Sequence, residues 1–258
     1  MLISIITINY NNKLGLERTL KSVRNQTYTG FEHIVIDGNS NDGSKDLLNS
    51  YKDKFSYCVS ETDEGIYNAM NKGIKEAKGD YLFFLNSGDD LLDEKSLEKV
   101  AKHLTGEDLI YFNINVVEKD VVTEKVIPTN LSFFYLHNDT IPHQSLFLKR
   151  NLFNKIGLYD ENFTIISDWK FILEALLKHN VSYKHINDVI SNFYMGGVSS
   201  SEGGFLAMEK ERKMVLDKEF PVLVNDLKEI HKLNRKLRTL KKSRTLQWLI
   251  KLGLINKF

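Results

Sequence analysis

Over the first 115 residues, apolar strand runs alternate with helical stretches, and each of the first four runs stops at a polar turn. The pattern predicts strands at Leu2–Asn9, Phe31–Asp37, Tyr57–Ser60, Tyr81–Leu85 and Asp108–Val117. Helices are predicted between them, at Leu14–Gln26, Ser44–Lys54, Gly65–Ala77 and Lys95–Leu104. Strands joined through helices of about 10–15 residues form right-handed βαβ units and a largely parallel sheet. Continuous apolar strands fit a sheet covered on both faces. Beyond residue 115 the pattern is mixed. Val121–Ile127 reads as an edge strand, Ser145–Lys149 as a buried one and Tyr183–Tyr194 as extended, with helices at Trp169–Leu177 and Glu202–Lys218.

Charge divides the chain differently. The formal net charge is +1, yet Lys228–Phe258 holds ten Lys and Arg against one acid, Glu229, so that segment carries +9 and residues 1–227 carry −8. Pro221 opens a helix that sets Ile230, Leu233, Leu237 and Leu240 on one narrow stripe among basic residues. These features imply a main domain at 1–220, made of a 1–115 half and a 116–220 half, followed by a basic amphipathic tail at 221–258. An anionic membrane surface is the expected partner of the tail, with a helix packed on a partner or a second copy, or a solvated helix, as the rivals. Nucleic acid is not expected, because Trp248 stands almost alone among the basic residues, without the aromatic interleaving of a single-strand channel. The longest apolar run, Tyr81–Leu85, has five residues where a membrane span needs about 20. The start of the chain lacks a secretory pattern and Cys58 is the lone cysteine. A cytoplasmic protein, peripheral on the membrane through its tail, is the expectation.

In an open parallel sheet, ligands bind outside the carboxyl ends of the strands. Here those ends carry Thr7-Ile8-Asn9-Tyr10-Asn11, Asp37-Gly38-Asn39, Glu61-Thr62-Asp63-Glu64-Gly65 and Asn86-Ser87-Gly88-Asp89-Asp90. Asp, Asn and Gly are turn formers, and any one turn is explained that way. Carboxylates gathered at one edge repel one another unless a cation or hydrogen-bond donors hold them. Several such turns in succession therefore point to a ligand. The chain has no phosphate-binding P-loop, dinucleotide fingerprint, zinc-protease motif or paired cysteines.

Six stretches in order carry a resemblance. They are Ser4–Asn11, Gln26–Ser44 with Asp37–Gly43, Asp63–Gly73, Phe84–Asp90, Pro142-His143-Gln144-Ser145 and Ser167-Asp168-Trp169. Together, over residues 2 to about 200, they resemble the family 2 glycosyltransferases of the GT-A fold, and most closely the bacterial exopolysaccharide and colanic-acid-type subgroup. The resemblance implies an α/β, Rossmann-like, mostly parallel central sheet flanked by helices, here with a basic helical C-terminal extension. It further implies an inverting transfer of a sugar, metal-dependent and of hexosyl type, from a nucleotide-sugar donor to a saccharide or lipid-linked saccharide. Cell-surface polysaccharide synthesis is the implied context.

By that resemblance Thr7, Asn9 and Asn11 line the nucleotide cleft and Asp37 accepts a hydrogen bond from the base, with Asp63 beside it and Asn71 nearby. An acceptor-only carboxylate suits the N–H edge of a uracil-type base. Asp89 and Asp90 are the metal candidates, for Mn2+ or Mg2+, which bind through one or two carboxylates and phosphate oxygens. Many relatives place an aspartate where this chain has Asn86, so the ligand role rests on Asp89, with Asp90 assisting it or capping the next helix. Asp168 is the candidate general base, its pKa expected to be raised by burial beside Trp169 and Phe171. An aspartate there also suits a helix cap. Asn86, His143, Gln144 and Trp169 are expected near the donor sugar or acceptor, and the loop Gly196–Ser201 over the diphosphate. Two rivals remain. A sugar-1-phosphate nucleotidyltransferase wants a basic Gly-rich loop after the first strand, and Asn9-Tyr10-Asn11-Asn12-Lys13 is not one. A silent sugar-binding scaffold has no need of both Asp89 and Asp168.

Overall fold

The computed structural model describes residues 1–197 and 201–252. The chain divides into two compact units, 1–211 and 212–258. The division falls inside a helix, ahead of the change of composition at 220/221. The first unit begins with β1 (Ile3–Asn9), α1 (Lys13–Arg24), β2 (Phe31–Asp37), α2 (Ser44–Ser50), β3 (Tyr57–Ser60), α3 (Ile66–Glu76) and β4 (Tyr81–Phe84). It continues with β5 (Asp90–Leu91), α4 (Ser96–Ala101), β6 (Leu109–Glu118), β7 (Val121–Lys125), α5 (Phe133–Asn138), β8 (Leu146–Lys149), α6 (Asn151–Ile156), α7 (Ser167–Leu177) and β9 (Tyr183–Tyr194). Then come α8 (Glu202–Glu219), α9 (Pro221–Lys241) and α10 (Arg244–Lys251).

The sheet runs β3-β2-β1-β4-β8-β6-β9-β5, with β7 on β6. Pairings β1–β2, β1–β4, β2–β3 and β6–β9 are parallel. Pairings β4–β8, β6–β8, β5–β9 and β6–β7 are antiparallel. The first half is thus parallel as the strand–helix alternation predicts, and the second half is mixed. The reason is in the connections. β6 turns directly into β7 through Lys119 and Asp120, both at positive φ, the twist that a tight hairpin needs. No crossover helix intervenes, so the return strand is antiparallel.

Successive residues of a strand face opposite sides of its sheet. On one side Ile3 and Ile5 join Val23 of α1, Leu97 and Val100 of α4, and Phe83, Phe112 and Phe147 in one buried cluster. Phe83 and Phe147 stack at 4.5 Å across the antiparallel β4–β8 pair, which ties the two halves of the sheet together. On the other side α3 lies against Ile6, so close that a Cβ on Gly73 would sit 2.5 Å from its Cγ2. The strand ends of β1, β2 and β4 therefore stand between two helical layers, open only past their carboxyl termini.

Candidate active site

Asp37, the last residue of β2, is fully buried and surrounded by donors. Its Oδ1 accepts from Asn9 Nδ2 (2.7 Å) and Ser40 Oγ (2.6 Å), and its Oδ2 from Ser40 N (3.0 Å) and Ser60 Oγ (2.5 Å). Burial acts to raise its pKa, but the Ser40, Ser60 and Asn9 hydrogen bonds outweigh that and hold it below the usual carboxylate range. This one carboxylate binds the ends of β1, β2 and β3 together. Asn11, at φ 48°, extends the lock: its N–H donates to Ser40 Oγ (2.8 Å) and its Oδ1 accepts from Asn41 N (2.8 Å). Thr7 lies deeper, with its hydroxyl given to Leu85 O (2.8 Å) and 3.0 Å from His33 Nε2. Since the hydroxyl proton is spent on Leu85, the buried His33 ring donates, and burial pushes its pKa down to about 3.

The open edge of the cleft is built from Tyr10, Gly38 and Asp63. Tyr10 is 69% exposed, and a Cβ on Gly38 would meet Asp63 Oδ2 at 3.0 Å and Tyr10 Cδ2 at 3.2 Å. Lys72 reaches from α3 to Asp63 (2.6 Å) and Glu61 (2.7 Å). Asn71, one residue earlier, is turned inward. Its Nδ2 donates to Tyr159 O (2.9 Å) and Glu161 Oε1 (2.7 Å), and its Oδ1 accepts from Tyr159 N (3.0 Å).

Asp168 stands at the second position of α7, not at its cap, which is Ile166. Its Oδ1 accepts from Tyr67 Oη (2.8 Å) and Trp169 N (2.9 Å), while its Oδ2 is 3.5 Å from His143 Nδ1. The other ring nitrogen of His143 lies 3.0 Å from Asn86 Nδ2, at the end of β4. An amide NH2 only donates, so Nε2 accepts and the ring proton sits on Nδ1, facing Asp168. Burial acts to raise the Asp168 pKa, yet His143, Tyr67 and the Trp169 amide outweigh it and the net shift is downward. This corrects the expectation of a raised value: burial alone raises the pKa, and the three donors reverse the sign.

The adjacent turn holds Asp89, buried, with one donor on each oxygen: Gln144 Nε2 on Oδ2 (2.7 Å) and Tyr194 N on Oδ1 (3.1 Å). Burial pushes its pKa up to about 6. Asp90 lies in β5, where Asn192 Nδ2 (2.6 Å) and Tyr194 Oη (3.2 Å) take its two oxygens and pin β5 to β9. It caps nothing; the cap position of α4 is Lys95. Arg18 lies over the Tyr194 ring at 3.9 Å and donates to Gly88 O (2.9 Å).

The sequence and the arrangement of the sheet have counterparts among known proteins. The family model described as Glycosyl transferase family 2 matches residues 4–162. The chain belongs to that family. Among curated relatives of this family 2 chain, the uncharacterized glycosyltransferase Rv1514c of Mycobacterium tuberculosis is 41% identical over 181 residues, covering 68% of this chain and 69% of that one. Among solved structures, S. aureus TarS 1–349 in complex with UDP-GlcNAc has a TM-score of 0.65 at 18% identity, over 85% of this chain and 68% of that one. In another TarS 1–349 structure the chain spans 60% of the length. The mannosyltransferase PcManGT from Pyrobaculum calidifontis, in complex with GDP-Man and Mn2+, has a TM-score of 0.60 at 15% identity, over 86% and 64%. These likenesses show the GT-A fold.

Within that fold, several residues singled out from the sequence are committed to the protein itself. Thr7, Asn71 and Gln144 are buried with partners inside the chain, and Asp37 accepts from four internal donors. Trp169 is 1% exposed and donates Nε1–H to Leu136 O (2.6 Å), so it offers no surface to a sugar. Asn86, His143 and Asp168 are brought together, and Asp63 keeps the cleft edge. Tyr67, Tyr10 and Lys72 were not foreseen. Tyr67 hides inside the apolar pattern of α3; the exposed aromatic after β1 was the available signal for Tyr10. The loop expected over the diphosphate falls partly outside the described residues, at 198–200.

Proposed function

We propose that the chain is an inverting glycosyltransferase that moves a sugar from a nucleotide-sugar, a UDP-sugar first, to a saccharide or lipid-linked saccharide acceptor of cell-surface polysaccharide synthesis. One observation carries the reading: Asp168, brought from far along the chain, shares a hydrogen-bonded group with His143 and Asn86 at the end of β4. Asp63, Tyr10 and Gly38 supply an acceptor, an exposed ring and close backbone approach for a base, which supports a base edge seated beside Asp63. Asn86 Oδ1, buried and without a hydrogen-bond partner, offers an acceptor to a donor-sugar hydroxyl.

Among the described residues no group of three or more His, Cys, Asp or Glu side chains forms a metal cage. The chemistry fits a hard cation held by one carboxylate and completed by phosphate oxygens and water. Asp89 suits that role, since each oxygen keeps a lone pair free and its buried charge is under-compensated. Asp90, likewise with one donor on each oxygen, holds β5 to β9 and keeps a lone pair on each oxygen with which to assist Asp89. A divalent cation bound at Asp89, Mn2+ or Mg2+, supplies charge neutralisation to the diphosphate leaving group.

The acid–base work falls to Asp168. Two donors pin Oδ1, whereas Oδ2 has only the distant His143 proton, so Oδ2 is the oxygen that takes the acceptor hydroxyl's proton during attack on the anomeric carbon. His143 Nδ1–H then steadies the carboxylate in its ionised form. General-base assistance of this kind is worth about 10²–10⁴-fold. Transfer from UDP-, GDP- and dTDP-sugars with Mn2+ tests the reading, with Asp168→Asn expected to lose about that factor while still binding donor. Equal turnover in wild type, Asp168→Asn and Asp89→Ala would falsify it.

A further inference from the structure

The second unit carries an exposed surface of its own. Every residue of α9 from Lys228 to Leu240 is exposed. Within that stretch Ile230, Leu233, Leu237 and Leu240 form one apolar line, each between 42% and 60% exposed. Lys228, Lys232, Arg235, Lys236 and Arg238 lie in the same exposed stretch, and Lys232 pairs with Glu229 (3.4 Å). After a break at Ser243, α10 presents Trp248, 58% exposed, and Leu252 follows it, 53% exposed. No helix among the described residues is long and apolar enough to cross a membrane.

We infer that α9 and α10 form an interfacial membrane anchor that lies flat on an anionic bilayer surface. A helix with an apolar line, Lys and Arg on its other faces and a nearby Trp lies in the plane of the headgroups, its leucines in the acyl boundary. Ten basic residues against one acid between Lys228 and Phe258 match the sign of phosphatidylglycerol-type headgroups. The same charge opposes the other simple occupant. Pairing two copies along the line would set one basic flank against another, so an anionic surface satisfies both the apolar line and the charge, and a second copy only the line. The inference stands apart from the donor and base assignments, since it uses none of the residues that carry them.

Flotation of the full chain with vesicles tests it, using phosphatidylcholine alone and a 70:30 mixture of phosphatidylcholine with phosphatidylglycerol. The chain is expected to float with the anionic vesicles only, and to be released by 0.5 M salt. Each charge removed lowers partitioning about fivefold, so Lys232→Gln/Arg235→Gln/Lys236→Gln/Arg238→Gln lowers it about 600-fold. Leu233→Ser/Leu237→Ser lowers it by about tenfold for each leucine. All six positions are exposed, so the thermal midpoint serves as the control for folding and is expected to stay put. Equal flotation with neutral vesicles overturns the inference. So does unchanged flotation of the four-charge variant, or a chain that stays off anionic vesicles while light scattering shows a dimer that Leu233→Ser/Leu237→Ser dissociates.

Discussion

Asn71 separates a ligand contact from an internal clamp, and the two make opposite demands on experiment. In Asn71→Ala the backbone N–H and C=O of Tyr159 both lose their partner in a site where Asn71 is 2% and Tyr159 4% exposed. A buried polar group left unpaired costs about 1–3 kcal/mol, so two cost about 4 kcal/mol. Glu161 returns to water and adds little. For a unit of this size the loss lowers the thermal midpoint by about 10 °C. Asn68 is the internal control, because it donates to the same Glu161 (2.9 Å) from a half-buried position, and Asn68→Ala should cost under about 1 kcal/mol. Urea unfolding of the three proteins gives the stabilities, and donor KM well below the variant's midpoint gives the contact. The clamp predicts a large stability loss with donor KM unmoved. A loss below 1 kcal/mol, or a raised KM at unchanged stability, would refute the reasoning.

Asp37→Asn sets an amide NH2 among four donors and should destabilise by about 2–4 kcal/mol at pH 7. Because the folded pKa of Asp37 is depressed, its contribution is complete above the ordinary carboxylate pKa and lost as pH falls through the folded value, so the gap to wild type in urea unfolding should narrow at pH 3. His143→Ala removes support from the ionised form of Asp168, and the acid limb of kcat/KM against pH should move to higher pH; a limb that stays in place refutes the positioning role. Trp169→Phe should cost about 2–3 kcal/mol in thermal unfolding, through the unpaired Leu136 carbonyl and the lost ring volume, and leave acceptor KM as it was.

The strands were legible where apolar residues dominate the run, as in Tyr81–Phe84, and Phe31–Asp37 and Tyr183–Tyr194 fall where the sequence pattern sets them. The placement of β8 was not. That Phe147 pairs antiparallel with Phe83 is a tertiary choice, and neither strand's composition records its neighbour. Polar residues at strand ends posed the harder problem. Asp63 and Asp37 look alike in the sequence, but Ser40 and Ser60 fold back onto Asp37 alone, and hydrogen bonds from separate strands leave no local mark. Asp168 and His143 were found through motifs; Tyr67 was missed because helical periodicity spends a tyrosine on the core before it spends it on chemistry.

Residues 143 and 144 share a peptide bond, and each serves a different carboxylate: the imidazole faces Asp168 and the amide holds Asp89. Whatever shifts that single turn moves both acidic groups at once. Substitutions at the two centres should therefore fail to add, and retuning this cleft for another substrate means redesigning both neighbourhoods together, since the chain provides no slack to adjust either alone.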